Sequence, residues 1–337
     1  MAKPDPIPQF IEIRPNTQKA AGAIGKPQAP ELDWIDQFLS DREIRPNTKR
    51  AYLRHLRQFQ AWLECKPWAD VTENDLVRYK RYLKSKPGRT ADSKGLSPAS
   101  INQALATLQS FFKWLATKRY IERNPTLTIE RIKSDPMEVK DIDVSIVHRL
   151  AEGLAFRGDL YVRDTAIFEL LKHGLRAEEV SKLNVGDYGD LTVRIADAKW
   201  GSDGTVPLAP EACQAIESYL GWCVQRGLDT SAAAPLFKSL SNRSYGKRMA
   251  YRGIYNLIRD LSEIAGLEEP IHPHQLRHTF GTQMLLEGID PEFVRNLMRI
   301  KSPQVFERYT KRALDEKSHD RFRETIKRSS SGLFGKG

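Results

Sequence analysis

Cysteine is scarce in this sequence, and long apolar runs are absent from it. The three cysteines, Cys65, Cys213 and Cys223, form no C-x-x-C pair, which excludes a disulfide framework and a zinc ribbon. No stretch approaches the roughly 18 consecutive apolar residues of a membrane span. The amino-terminal residues are too polar and too rich in proline for a secretory signal. The sequence therefore predicts a cytoplasmic protein without a membrane partner.

Acidic residues are outnumbered by basic ones. The chain has 53 Lys and Arg against 43 Asp and Glu, which gives a net charge of +10. Such a balance favours a polyanionic partner, most often nucleic acid, although a basic enzyme without one is the alternative. The 337 residues suggest two domains, because a single core rarely grows beyond about 250 to 300 residues.

Composition and periodicity divide the chain into five segments. Residues 1–30 are rich in Pro, Ala, Gly and Gln and predict a flexible extension. Residues 31–124 predict a helical domain, 125–140 a linker, 141–327 a second domain, and 328–337 a carboxyl-terminal tail. The second domain is mainly helical, and its LTVRIADAK and GTVPL runs predict an antiparallel hairpin with WGSD at the turn.

Helix start signals place four helices in the first domain. Asn47 or Thr48 is a candidate cap for the second helix, and Thr72 with Asp75 forms a capping-box signal before the third. In the second domain, helical patterns lie near residues 144–154, 161–173, 177–183, 209–224, 250–265, 274–287, 291–299 and 303–310.

Two helices of the first domain carry basic clusters with very few acids. DNA-backbone binding is one interpretation, because Lys and Arg displace the counterions condensed on phosphates. A solvated helix face is the alternative. The candidate DNA-binding residues are Lys49, Arg50, Arg54, Arg57, Arg78, Lys80, Arg81, Lys84, Lys86 and Arg89.

The segment HPHQLRHTFG places His274, Arg277 and His278 on one face of a predicted helix. A zinc enzyme with this histidine spacing carries a Glu after its first His, where this chain has Gln275, and Arg277 repels a dication. Helix amino-terminal amides, a guanidinium and an imidazole together favour an anion site, most simply a phosphate.

Four motifs, which supply five residues in a fixed order, resemble the tyrosine recombinase (phage integrase) family. HGLRAEEVSKL supplies Arg176, AKWGSDGTVPL supplies Lys199, HQLRH supplies His274 and Arg277, and ERYT supplies Tyr309. The resemblance covers residues 31 to about 325. It implies a mainly α fold, with a four-helix SAM-like core-binding domain and a mixed, mainly α catalytic domain with a small antiparallel sheet, forming a C-shaped DNA clamp.

The resemblance also implies a reaction. Tyr309 would attack a DNA phosphodiester, hold the 3′-phosphate covalently and release a 5′-hydroxyl, which requires neither metal nor other cofactor. Arg176 and Arg277 would bind the phosphate, and Lys199 would protonate the departing 5′-oxygen. His274 would donate to the phosphate and assist proton transfer at Tyr309.

Two further residues would support this site. Glu179 stands at the family's acidic position and would support the residues that contact the phosphate. His278 would orient the site, with helix packing as the alternative.

One position departs from the family pattern. Ile300 stands nine residues before Tyr309, where the family has His or Trp in an LGH-type turn, and its side chain cannot hydrogen-bond. A catalytically weakened DNA-binding member therefore stays open as an alternative, beside a topoisomerase-like relative and a metal-dependent nuclease.

The resemblance implies a DNA partner and an assembly. The chain would bind double-stranded core sites as a dimer per site and synapse two sites as a homo-tetramer, as an integrase, resolvase or transposon-type recombinase. The carboxyl-terminal stretch DRFRETIKRSSSGLFGKG would be a helix plus a tail that docks on a neighbouring protomer, or a basic disordered end.

Overall fold

The chain forms two compact units, residues 1–135 and 136–337, in a computed structural model. The structure describes residues 32–64, 66–86, 95–133, 139–196 and 203–329. The predicted extension, Cys65, Arg89, Lys199, the hairpin turn and the last eight residues therefore lie wholly or mainly outside the described residues. No helix in the described ranges is long and apolar enough to cross a membrane.

The first unit contains the four helices that the sequence predicts. They are α1 (Leu32–Ser40), α2 (Pro46–Trp62), α3 (Glu73–Ser85) and α4 (Pro98–Thr117). The predicted capping box is present before α3, where the Asp75 carboxylate accepts from the Thr72 amide at 2.9 Å. The predicted cap of α2 at Asn47 or Thr48 is wrong. Pro46 takes the first helical position. Proline suits this position because the amide there has no partner within the helix, and because the fixed φ of proline is close to the helical value.

Aromatic rings fill the core of the first unit. The Phe59 ring lies 4.7 Å from the Tyr79 ring, and the Trp68 ring lies 4.8 Å from the Phe111 ring, both edge to face. Tyr79 is fully buried, so it belongs to this core although its neighbours in sequence are basic. The core keeps α2 and α3 in place, with most of their basic side chains exposed.

The first part of the predicted linker packs on the first unit. The Asn102 side chain on α4 donates to the Ile132 carbonyl at 2.9 Å and accepts from the Ile132 amide at 2.8 Å. The Lys80 ammonium donates to the Glu130 carbonyl at 2.6 Å, and Ile129 is buried in the aromatic core. Side-chain hydrogen bonds of this kind replace regular structure, which is why the sequence shows no periodicity here.

The second unit is mainly helical with one three-stranded antiparallel sheet. Its helices are α5 (Val144–Gly153), α6 (Tyr161–Lys172), α7 (Ala177–Lys182), α8 (Pro210–Gln225), α9 (Tyr251–Ile264), α10 (Pro273–Leu286), α11 (Pro291–Leu297) and α12 (Pro303–Ser329). The strands are β1 (Tyr188–Gly189), β2 (Thr192–Ile195) and β3 (Gly204–Pro207), paired in that order, with Val193 opposite Val206. The predicted hairpin is confirmed.

In the second unit, an apolar cluster joins α10, α11 and α12. It contains Leu285, Val294, Met298, Ile300, Phe306, Tyr309 and Ala313. Beyond Ala313, α12 continues to Ser329 and is largely exposed as far as Ile326. The predicted helix at 303–310 and the helix predicted in the stretch from Asp320 are thus parts of one helix. The hydrophobic period that predicts an amphipathic helix ends at Ala313, while Ala, Leu, Glu, Lys and Arg still favour helical backbone.

Candidate active site

Helix α10 presents the histidines and the arginine that the sequence singles out. His272 caps its amino terminus, Pro273 takes the first helical position, and the Gln275 side chain accepts from the His272 amide at 2.9 Å. One turn later, the rings of His274 and His278 meet edge to face with centroids 4.5 Å apart. The His274 side chain reaches solvent, whereas Arg277 and His278 are buried.

Arg277 is held by two backbone carbonyls. Its two terminal nitrogens donate to the carbonyls of Gly174 and Met298, and only 1% of the residue is exposed. Burial, followed by the neighbouring Arg176 charge, lowers the pKa of the Arg277 guanidinium. Arginine nevertheless keeps its proton at neutral pH. Its positive charge is therefore fixed in direction before any ligand arrives.

A glycine makes this arrangement possible. Gly174 has a φ of +78°, and a Cβ on it would stand 2.6 Å from the Phe280 ring of α10. Only glycine adopts that backbone without strain and leaves room for the ring. The turn between α6 and α7 can therefore approach α10 closely enough for Arg277 to reach the Gly174 carbonyl.

Tyr309 lies on α12 against α10. Its hydroxyl is 2.7 Å from Nδ1 of His278, and 2% of the residue is exposed. Burial raises the pKa of Tyr309 above its ordinary value, with Arg277, Arg308 and Arg176 acting in the opposite direction. Burial also lowers the pKa of His278 to about 3. A neutral His278 can therefore accept the hydrogen bond of the Tyr309 hydroxyl at neutral pH.

His274 has a different environment from the one that the sequence suggests. Desolvation of the ring by neighbouring protein atoms, followed by the positive charges of Arg277 and Arg176, lowers the pKa of His274 to about 4. The ring is therefore neutral at neutral pH. The sequence assigns proton transfer at Tyr309 to His274. The structure instead places His278 against the Tyr309 hydroxyl. His274 keeps its place at the wall of the cavity, where a neutral imidazole can still donate one hydrogen bond to a phosphate.

Glu179 joins two arginines. Its carboxylate accepts from the Arg176 amide at 2.9 Å, from the Arg176 guanidinium at 2.6 Å, and from the Arg299 guanidinium at 2.5 Å. Burial alone would raise the pKa of Glu179, but Arg299 and the Arg176 backbone and charge hold it below its ordinary value. Glu179 is thus an ionised anchor that fixes Arg176 at the start of α7.

These side chains surround one cavity of about 670 Å³. Its lining residues are Arg176, His274, Arg277, His278, Arg299, Ile300, Lys301, Ser302, Val305, Arg308 and Tyr309. The charged lining residues are all basic, so the cavity suits an anion. In the part of the chain that the structure describes, no three His, Cys, Asp or Glu side chains gather as a metal site.

The structure brings most of the predicted site together. Arg176, His274, Arg277, His278, Ile300 and Tyr309 line the cavity, and Glu179 stands behind Arg176. Lys199 lies outside the described residues. Arg299 and Arg308 also line the cavity and were not predicted. Arg299 could have been noticed only because it adjoins Ile300 in the turn that departs from the family pattern.

The candidate DNA-binding residues of the first unit are mostly exposed. Lys49, Arg50, Arg54 and Arg57 lie on the solvent side of α2, and Arg78, Arg81 and Lys84 on that of α3. Lys86 at the end of α3 is half-buried, with its ammonium over the Tyr82 ring. Lys80 differs, because it is half-buried and bound to the Glu130 carbonyl. Arg89 lies outside the described residues.

Comparisons with known proteins cover both units. A model of the phage integrase family matches residues 142–316, and a model of the phage integrase N-terminal SAM-like domain matches residues 33–119. The chain is 30% identical to a tyrosine recombinase XerC of Herpetosiphon aurantiacus over 82% of this chain and 89% of that protein. It is 27% identical to a tyrosine recombinase XerD of Listeria innocua over 84% of this chain and 96% of that protein.

Solved structures share the fold at lower identity. A lambda integrase dimer bound to a COC′ core site has a TM-score of 0.63 at 16% identity, over 83% of this chain and 94% of that chain. The Tn1549 transposon integrase in complex with circular intermediate DNA has a TM-score of 0.61 at 20% identity, over 83% of this chain and 94% of that chain. A lambda integrase tetramer bound to a Holliday junction has a TM-score of 0.62 at 16% identity, over 82% of this chain and 76% of that chain.

Proposed function

Because the chain belongs to the phage integrase family of tyrosine recombinases, we propose that it cuts and rejoins DNA at specific sites through a covalent bond between Tyr309 and a 3′-phosphate. It is a site-specific recombinase. The observation that carries the covalent mechanism is the position of Tyr309. Its side chain lies in the wall of a cavity that Arg176, His274 and Arg277 also line. A nucleophile and fixed positive charges thus share one space of the size that a phosphodiester needs.

The first chemical step exchanges one phosphoester bond for another. The Tyr309 oxygen bonds to phosphorus, and the bond from phosphorus to the 5′-oxygen breaks. The Tyr309 proton leaves along the hydrogen bond to Nδ1 of His278, which lies 2.7 Å from the hydroxyl. The negative charge of a bound phosphate raises the pKa of this imidazole, so that the ring can hold the proton. The 5′-oxygen takes a proton from Lys199, the role that the family resemblance gives to this residue.

Negative charge grows on the non-bridging oxygens as the nucleophile attacks. Arg176 and Arg277 keep their charge throughout and are held by Glu179 and by two backbone carbonyls. They need little rearrangement to stabilise the transition state, which is the main source of catalysis in such sites. The reverse step, with a 5′-hydroxyl of another strand, rejoins the DNA. The phosphotyrosine stores the bond energy, so no ATP is consumed.

The exposed basic faces of α2 and α3 are the proposed contacts to the DNA backbone. Two protomers would occupy a core site and four would synapse two sites. The lambda integrase structures with DNA, as a dimer on a core site and as a tetramer on a Holliday junction, support this assembly through their shared fold.

Covalent capture tests the proposal without knowledge of the target sequence. The protein is incubated with a pool of duplex oligonucleotides of randomised sequence in EDTA, and SDS-resistant protein–DNA adducts are isolated and sequenced. We expect adducts enriched in one partly palindromic sequence, with none from Tyr309→Phe. DNA cleavage without an adduct that EDTA abolishes would instead indicate a metal-dependent nuclease.

Ile300 favours one second candidate, a DNA-binding member with weakened catalysis, because this side chain cannot donate to a phosphate. In that case the protein would bind the enriched duplex but form no adduct on it. Strand exchange between two such duplexes separates a recombinase from a topoisomerase-like enzyme, which would only relax supercoils.

A further inference from the structure

Arg299 occupies an unusual position in the turn between α11 and α12. Its backbone has a φ of +52°, a region that residues with a Cβ rarely adopt and that glycine enters freely. Its side chain is nonetheless long, charged and only 8% exposed. Strained backbone and buried charge at one residue both need compensation, and such residues are concentrated at functional sites.

The Arg299 guanidinium group has one buried nitrogen without a hydrogen-bond partner among the described residues. One terminal nitrogen donates to the Glu179 carboxylate at 2.5 Å, and the other to the Leu297 carbonyl at 3.2 Å. Nε is buried and has no hydrogen-bond acceptor among the described residues. An unpaired buried donor is costly and rare in native proteins, so it calls for an explanation.

The charged groups around Arg299 also favour a bound anion, because positive charges outnumber negative ones there. Glu179 already forms an ion pair with the Arg176 guanidinium at 2.6 Å, and one arginine balances the charge of one carboxylate. Arg299 adds a second guanidinium to one carboxylate, and Arg277 stands at the same cavity with no acidic partner among the described residues. The three guanidiniums and one carboxylate leave an excess of positive charge that only a bound anion neutralises.

The next residue explains why this cation is needed. Ile300 is also in the cavity wall, 9% exposed, and its hydrocarbon side chain gives no hydrogen bond. We propose that Arg299 binds the scissile DNA phosphate as a third guanidinium and supplies the donor that Ile300 lacks. This inference rests on the proposed function and adds a catalytic residue to it.

The test exchanges the two neighbouring residues. Arg299→Gly suits the backbone of the turn and removes the charge, and the double variant Arg299→Gly with Ile300→His adds an imidazole donor beside it. The substrate is the duplex enriched by covalent capture, and the readout is the single-turnover rate of adduct formation, with DNA affinity and thermal unfolding measured in parallel.

We expect Arg299→Gly to slow adduct formation by about 10²–10³-fold, the usual effect of removing one transition-state donor. DNA affinity should change much less. The double variant should recover at least about tenfold of the rate, since donors at the two positions serve the same phosphate. Adduct formation by Arg299→Gly at the wild-type rate would refute the proposal, and so would a loss that Ile300→His leaves uncorrected.

A change in the substrate gives a second, independent measurement. A methylphosphonate at the scissile position removes one negative charge from the phosphate. If Arg299 neutralises that charge, the difference in rate between wild type and Arg299→Gly should shrink on this duplex. An unchanged difference would show that Arg299 only maintains the fold. If the wild-type protein forms no Tyr309-dependent adduct in the covalent-capture experiment, the proposed function itself is refuted, and the role of Arg299 is not reached.

Discussion

Gly281 is the residue that lets Tyr309 approach α10. A Cβ at Gly281 would stand 3.0 Å from Cδ1 of Tyr309 and 2.6 Å from the Met298 sulfur. We predict that Gly281→Ala displaces the Tyr309 ring, lowers the free energy of unfolding by about 1–3 kcal/mol through overpacking, and slows adduct formation. Denaturant unfolding and the capture assay measure the two effects.

Gly221, within α8, is the matched control. It is also a helical glycine, but a Cβ there meets no atom within 4 Å. Gly221→Ala should raise the free energy of unfolding by up to about 1 kcal/mol through helix propensity and leave adduct formation unchanged. Equal effects of the two substitutions would show that the contact with Tyr309 is unimportant.

The buried His278 predicts a pH dependence of stability. Its pKa in the folded protein is about 3, below the value of about 6.5 for an unfolded chain, so unfolding binds a proton. Its contribution is complete above about pH 6.5 and is lost as the pH falls toward 3, with a slope of roughly 1.4 kcal/mol per pH unit. His278→Asn should reduce the slope of unfolding free energy between about pH 6 and 5 by that amount. An unchanged slope would mean that His278 is protonated in the folded state.

The order of motifs was enough to predict most of the site at the residue scale. Arg176, Arg277 and Tyr309 line one cavity although they are far apart in sequence. Two features of the site could not be predicted in this way, because they depend on distances between side chains in the folded protein rather than on the order of motifs along the chain. The sequence assigned His278 to orienting the site, with helix packing as the alternative, and could not show that its Nδ1 lies 2.7 Å from the Tyr309 hydroxyl. Nor could it show that the Arg299 side chain turns inward to Glu179.

At the scale of elements, α4 holds the segment that follows it. Asn102 makes two hydrogen bonds to the backbone of Ile132. We predict that Asn102→Ala lowers the free energy of unfolding by about 1–3 kcal/mol, since each hydrogen bond contributes about 0.5–1.5 kcal/mol. The Ile132 amide should also exchange faster with solvent hydrogen. Gln103→Ala, at the neighbouring exposed position of α4, should change neither, and equal effects would contradict the prediction.

Most of the helices that the sequence predicted bury several apolar side chains. Helices α5 to α11 begin and end within about two residues of the expected positions. The exceptions are short or mostly polar. Strand β1 has two residues, and the part of α12 between the two predicted helical stretches is mostly polar, so the sequence did not show that those stretches form one helix.

At the scale of the whole molecule, the charge of +10 predicts DNA binding that weakens steeply with salt. Arg54 and Arg57 are exposed on α2, so replacing both with Ala should reduce the slope of log affinity against log salt by about 1.8. Lys80→Ala is the comparison, because the Lys80 ammonium already binds the Glu130 carbonyl. Its slope should stay close to that of the wild type. Filter binding over a salt series measures all three, and equal slopes would remove α2 from the DNA contact.

The continuity of α12 links the nucleophile to the carboxyl-terminal residues. Tyr309 and the basic residues near Ser329 share one helix, and the 20 steps of about 1.5 Å from Tyr309 to Ser329 span about 30 Å. The Lys317 ammonium donates to the Leu285 carbonyl of α10 at 2.6 Å, two turns after Tyr309 contacts the same helix through His278. Helix α10 therefore sets the direction in which the distal part of α12 leaves the rest of the unit.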